Sequence, residues 1–292
     1  MIAAIGHRSR RAWLVAVVLL VALGCAAPRL AQQAPDPPAS DLLNAVLWMQ
    51  RSVEYKASAL TAFALARIRL DQALADLNWT GAPKEQAGAY QSLPTAVILD
   101  IDETILDNSG YQAWMALKGT TFDPKTWNAY VNTVTSLPIP GALEFAQYAD
   151  SKGVKVFYVT NRTAEEEPAT RKNLEKFGFP MGGNADTMLM TRKQPDWGSA
   201  KGTRRAHVAR NYRVLLTVGD NFGDFVDEYR GNEAERLKVL EQHKDRWGRE
   251  WIMIANPSYG SFESAPFGHD FKLPDGDKRR LKRGALDAWP GP

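Results

Sequence analysis

The chain has 292 residues, 45% hydrophobic and 24% charged, enough to bury a sizeable core in one large domain or two small ones. Lys and Arg number 36 against 33 Asp and Glu, but residues 1–24 hold three Arg and no acid, so the chain beyond them balances at 33 against 33 and a nucleic-acid polymer loses its main compositional support as a partner. The single cysteine, Cys25, excludes an internal disulfide and a Cys-based metal site, and leaves no thiol nucleophile in the domain that follows.

Arg8, Arg10 and Arg11 form a positive n-region, and Ala12 to Leu23 an apolar h-region that is short for a membrane span. Ala22-Leu23-Gly24-Cys25 resembles a bacterial lipobox, with Ala22 where Leu is usual. That resemblance implies a signal peptide over 1–24 and lipidation of Cys25 as the mature N-terminus. An ordinary secretory signal cleaved near Ala26-Ala27 is the alternative. Residues 25–40 are a Pro- and Ala-rich tether, and 41–292 a folded domain.

Asp41 is placed to cap a helical region, Leu42 to Leu77, whose good helix formers fall into two helices. Leu43, Val46, Leu47, Tyr55, Leu60, Phe63 and Ile68 are expected as its apolar stripe, and Trp48-Met49 as core packing. Gly81-Ala82-Pro83 ends the region. Strand and helix signals then alternate. Ala96–Leu99, Val154–Val159, Thr187–Met190, Val214–Val218 and Trp251–Ala255 read as five strands. Helices are expected over Thr163–Phe177, stopped by Gly178 and Pro180, and over Ala200–Arg210. The alternation predicts an α/β fold, a Rossmann-like parallel sheet with helices on both faces. Between about 107 and 140 the pattern breaks, and Tyr111, Trp114, Phe122, Trp127 and Tyr130 concentrate in a stretch read as a small cap insertion over the site. The basic run Lys278 to Arg283 reads as a solvated tail.

Asp100-Ile101-Asp102-Glu103-Thr104 follows the first strand, so two carboxylates sit at the sheet edge where ligands bind in open α/β folds. Like charges this close need a cation or a shared proton. The pentad alone fits either a catalytic pair or a polar turn. Other strand ends carry complementary groups: Thr160 and Asn161 after the second strand, Asp220, Asn221 and Asp224 after the fourth, and Lys201 at the start of the helix between. Each has a structural explanation by itself, as a cap, a turn or a surface lysine. Together they suit phosphoryl transfer. An anionic substrate needs positive charge to shield an attacking carboxylate, which Mg²⁺ on oxygen ligands and Lys201 supply. Asp100 would attack to form an aspartyl-phosphate, and Asp102 would move the proton.

This set resembles the haloacid dehalogenase (HAD) superfamily and, within it, the class C bacterial non-specific acid phosphatases of the lipoprotein 5′-nucleotidase type. The residues that carry it are Ile98 to Tyr111, Val159-Thr160-Asn161-Arg162, Ser199-Ala200-Lys201, Val214 to Phe225 and Asn256 to Glu263, with Phe222 standing where Leu is usual. The resemblance implies a HAD-like core with N-terminal helices and a cap, Asp100 as nucleophile and Asp102 as acid–base. It implies Mg²⁺ on the Asp100 side chain, the Asp102 backbone carbonyl and Asp220, with Asp224 supporting the metal. Thr160, Asn161 and Lys201 are its phosphate ligands, and Trp127 and Tyr259 the candidates for stacking a substrate ring. It further implies an envelope enzyme acting on nucleoside 5′-monophosphates and other small phosphomonoesters, anchored through lipid and dimerising through cap and N-terminal helices. Ala26 after Cys25 points to the outer membrane. A phosphotransferase to alcohols is an alternative, as is a non-catalytic envelope lipoprotein on the same fold.

Overall fold

The five apolar runs become the strands of one central sheet in the computed structural model, which describes residues 40–292. The signal peptide, the lipobox with Cys25 and nearly all of the tether lie outside the described residues. Helices α1 (Leu43–Arg51) and α2 (Val53–Ala75) precede β1 (Thr95–Leu99). A two-strand hairpin, β2 (Leu106–Asp107) with β3 (Leu137–Pro138), encloses α3 (Ser109–Lys118) and α4 (Pro124–Val131). Then follow α5 (Ala142–Ser151), β4 (Lys155–Thr163), α6 (Glu167–Phe177), β5 (Met188–Thr191), α7 (Gly202–Ala209) and β6 (Arg213–Gly219). The chain continues through α8 (Glu233–Gln242), β7 (Trp251–Met253), α9 (Ser261–Ser264) and α10 (Asp275–Gly284).

The strands run parallel in the order β5-β4-β1-β6-β7. β1 is therefore central, and the chain leaves it first toward β4 and later toward β6. Such a switch point opens a crevice at the C-terminal ends of the strands, where the loop beginning at Asp100 lies. Both faces of the sheet are covered, so alternate residues of one strand serve two cores. Val97 and Leu99 join Phe63 and Leu70 of α2, Phe145 of α5 and Leu174 of α6. Ala96 and Ile98 join Val208 of α7 and Trp197 on the other side. Among the described residues, the buried hydrophobic side chains lie between Val46 and Phe267.

Two local expectations are corrected. Asp41 does not cap α1: Leu42 stands at the N-cap without a side-chain bond, and Asp41 accepts from Arg279 instead. The break between α1 and α2 comes from Ser52, extended at φ −75° and ψ 142°, whose hydroxyl accepts from the Tyr55 N–H at 3.0 Å. Of the expected stripe, Val46, Tyr55 and Phe63 are buried, but Leu43, Leu47, Leu60 and Ile68 are exposed. The buried face of α2 is Tyr55, Ala59, Phe63, Ala66, Leu70 and Ala73. Its spacing of three and four is helical, and alanines hold alternate positions because α2 lies close against α5 and the sheet.

Within the inserted segment, Asp123 caps α4 by accepting from Lys125 N and Thr126 N at 3.0 Å, with Pro124 at the first helical position. Buried Tyr111 is the hub of its aromatic cluster, with ring centres 5.7 Å from Trp114, 6.3 Å from Phe122, 5.2 Å from Trp127 and 5.6 Å from Tyr130.

Candidate active site

Four side chains from three separate loops meet above β1. Asp100 follows β1, Asp220 and Asp224 follow β6, and Lys201 stands at the N-cap of α7. Carboxylate oxygens of Asp100, Asp220 and Asp224 all lie within 4.8 Å of one another. Lys201 Nζ, on a 5%-exposed residue, donates to Asp100 Oδ1 and to Asp224 Oδ1, the latter at 2.6 Å. Thr104 Oγ1 lies 3.0 Å from both Asp100 Oδ2 and Asp220 Oδ1, and Asn256 Nδ2 donates to Asp220 Oδ2 at 2.8 Å. The second oxygen of Asp224 accepts from Asn221 N at 2.9 Å, which completes a reciprocal cap of the turn Phe222–Asp224. This packing requires Gly219: a Cβ there would sit 2.3 Å from Asp224 Oδ2. Phe222, in the position where Leu is usual, stacks on Trp247 in a small aromatic core behind the turn.

Asp102 is held on the opposite side of Asp100. Arg162, 2% exposed, donates through Nε at 2.9 Å and Nη2 at 2.8 Å to Asp102 Oδ1. Asn108 Nδ2 reaches the same oxygen at 2.8 Å, and Thr160 Oγ1 lies 3.4 Å from Oδ2. The Arg162 guanidinium also sits 5.4 Å from the Trp127 ring, so the inserted segment touches the cation that orients Asp102. The sequence showed Arg162 only as part of a strand-end motif. Its partner Asp102 is 60 residues away, and only the parallel pairing of β1 with β4 brings the two together.

Asn161 is exposed, and its Oδ1 is engaged by Arg204 Nη2 at 2.7 Å and Thr191 Oγ1 at 3.1 Å. Arg204 was also missed. It is fully buried, makes no carboxylate contact, and donates to the carbonyls of Thr160 and, at 2.8 Å, Gly198. It thereby ties the end of β4, which bears Thr160, to the segment that delivers Lys201. Tyr259 is anchored by its hydroxyl, which donates to Glu103 Oε2, while Asn108 N donates to Glu103 Oε1 at 2.9 Å. Glu103 is wholly buried with φ 58°, and so fixes the turn that follows Asp102. Trp127 packs with Tyr111 and Tyr130 and is half-buried.

The electrostatics of the cluster are those of carboxylates short of positive charge. Burial pushes Asp100 up to about 6, Lys201 pulls against this, and Asp224 and Asp102 add to it. Asp220 is raised well above the carboxylate range by burial, then by Asp224 and Asp100. Glu103 is pushed up to about 8, by burial first and then by Asp102. For Lys201, burial is outweighed by Asp100 and Asp224, so the ammonium is held on. A buried set of oxygen donors carrying more negative charge than its one ammonium neutralises fits a hard divalent cation. Asp100 and Asp220 are placed to hold it. Asp224 lies beside them with its two oxygens taken by Lys201 and the Asn221 N–H.

Residues 19–262 match the sequence profile of the HAD superfamily, subfamily IIIB, acid phosphatase. The chain belongs to this family. As a subfamily IIIB member it is similar to the class C acid phosphatase from Bacillus anthracis, at 31% identity and a TM-score of 0.75 over 85% of this chain and 97% of that one. A structure of the class C enzyme from the same organism with tungstate bound gives 30% identity and a TM-score of 0.74. The HAD-like α/β core expected from the sequence is thus confirmed. Among curated relatives, acid phosphatase 1 of Solanum lycopersicum is 28% identical over 134 residues, covering 44% of this chain and 51% of its own length. The stem 28 kDa glycoprotein of Glycine max is 24% identical over 147 residues, covering 49% of this chain and 56% of its own. The chain spans about half the length of these curated relatives.

Proposed function

We infer that this chain is a Mg²⁺-dependent phosphomonoesterase that forms an aspartyl-phosphate on Asp100. The observation that carries the reading is the buried cluster in which Asp100, Asp220 and Asp224 converge and share Lys201. Asp100 attacks phosphorus and the ester P–O bond breaks, with Asp102 giving a proton to the leaving alkoxide. Water then attacks the acyl phosphate, Asp102 takes its proton, and inorganic phosphate leaves. Lys201 neutralises charge on the phosphoryl oxygens, and Thr160 with the Asn161 main chain holds another of them. The Asp100 side chain, the Asp102 carbonyl and Asp220 would hold the cation, supported by Asp224. When bound it supplies charge neutralisation and polarises the phosphoryl group. Arg162 keeps Asp102 in a fixed orientation throughout.

The proposed substrates are nucleoside 5′-monophosphates and other small esters, with Trp127 and Tyr259 stacking the ring. In support, Trp127 lies beside the guanidinium that holds Asp102, the side from which the leaving group takes its proton. We further read the enzyme as a lipoprotein anchored through Cys25 in the outer membrane, and as a homodimer through cap and N-terminal helices. Among the described residues no helix is long and apolar enough to cross a membrane. The test is phosphate release from nucleotides, sugar phosphates and aryl phosphates, with Mg²⁺ and with chelator. Turnover that needs the cation and disappears in Asp100→Asn is expected. No release from any monoester, or full activity in Asp100→Asn, overturns the reading.

A further inference from the structure

The family match ends at residue 262, and helix α10 lies beyond it. Five of the six residues from Lys278 to Arg283 are basic. The helix packs on the turn Ala265–Phe267, with Lys282 paired to Glu263 and its ammonium 5.9 Å from the centre of the Phe267 ring. Lys282 therefore docks the helix, while Arg279, Arg280 and Arg283 are left at the surface. The two acids of the first turn, Asp275 and Asp277, pair at 3.2 Å with Lys278 and Arg280, exposed contacts of the kind that water competes away.

Three large apolar side chains flank this helix and have no core to enter. Phe271 is 67% exposed, Leu286 73% and Trp289 80%. An indole left in water forfeits the burial that makes tryptophan useful in a fold. Tryptophan and aliphatic side chains beside clustered arginines are, however, the composition of a surface that sits at a lipid headgroup layer.

The position of the helix supplies the second argument. Arg279 Nε donates to Asp41 Oδ2 at 3.1 Å, so α10 lies against the start of the described chain, where the tether enters. Leu43 and Leu47 of α1, just beyond Asp41, are exposed as well. A surface rich in arginine and aromatic side chains thus stands at the end of the domain that the N-terminal segment leads into.

We propose that α10 and its flanks, Phe271 to Trp289, form a peripheral contact with an anionic bilayer surface. Arg279, Arg280 and Arg283 meet lipid phosphates, and Trp289, Leu286 and Phe271 enter the boundary between headgroups and acyl chains. The contact fixes how the domain sits on its membrane and adds a second attachment point to whatever the N-terminus provides. It depends neither on catalysis nor on lipidation of Cys25, so it stands or falls apart from the proposed enzyme activity.

The experiment uses residues 37–292, which form one compact unit and lack the N-terminal segment, in co-sedimentation with vesicles. Phosphatidylcholine vesicles containing about a third phosphatidylglycerol are compared with phosphatidylcholine alone. Wild type should partition onto the anionic vesicles and be released as NaCl rises from about 0.1 M to about 1 M, which shortens the screening length from roughly 10 to 3 Å. Each surface arginine is worth roughly fivefold in partitioning, so the triple variant R279Q/R280Q/R283Q should lose about a hundredfold. Trp289→Ala, which leaves the charge intact, should lose partitioning by a salt-independent factor. None of these residues touches the catalytic cluster, so circular dichroism and phosphatase activity should match wild type. Equal binding to neutral vesicles, or unchanged partitioning of the triple variant, overturns the proposal. So does retention on duplex DNA with no preference for the anionic vesicles.

Discussion

Lys201→Met removes the one ammonium that Asp100 and Asp224 share while roughly keeping the volume of the side chain. Both partners are nearly inaccessible, so the substitution leaves buried carboxylates without a cation, which costs about 3–5 kcal/mol. The cost depends on pH in a direction the cluster fixes. Asp100 already stands at about 6 with Lys201 opposing the rise, against 3.8 ordinarily, a difference worth on the order of 3 kcal/mol. A carboxyl raised in the folded state binds more protons folded than unfolded across that interval. Its contribution is therefore fully present below the unfolded value and lost as pH climbs through the folded one. Without Lys201 the folded value goes higher still, so the loss extends further up. Urea unfolding followed by tryptophan fluorescence, in chelator, should show the variant close to wild type near pH 5 and several kcal/mol weaker near pH 8. In the Mg²⁺-loaded enzyme, kcat should fall by about 10²–10³. A destabilisation that is equal at both pH values, or below about 1 kcal/mol near pH 8, would refute this account of the cluster.

The same reasoning gives metal-free wild type a stability that declines between about pH 4 and 6, and adding Mg²⁺ should restore it, more at neutral than at acid pH; at about a hundred times Kd the gain is about 2.7 kcal/mol, read as a rise in Tm. Arg162→Lys keeps the charge but not the two donors that converge on Asp102 Oδ1; kcat should drop by about ten- to a hundredfold with KM little changed, in steady-state kinetics on an aryl phosphate. Gly219→Ala puts a methyl 2.3 Å from Asp224 Oδ2; it should lower stability by about 1–3 kcal/mol in urea and weaken Mg²⁺ binding measured by calorimetry, because the turn that carries Asp220 must move.

How much was legible from residues alone follows from how locally each feature is encoded. The five strands were visible because a strand buried on both faces is a continuous apolar run, as in Val97-Ile98-Leu99 and Val214 to Val218. Asp100, Asp220 and Lys201 were visible because strand ends in a parallel sheet share one edge. The buried face of α2 was not, since Ala59, Ala66 and Ala73 are chosen for close approach while Leu60 and Ile68 face outward. The reach of Tyr259 to Glu103 across 156 residues was equally hidden. Sequence by itself thus determined the fold class and which residue types stand at the sheet edge, because periodicity and residue type are local properties. Which cation orients Asp102, why Gly219 must be glycine, and how the basic helix comes to lie against Asp41 were decided only by the tertiary structure. Each is a contact between distant segments, and only the packed fold sets the distances that make it a bond.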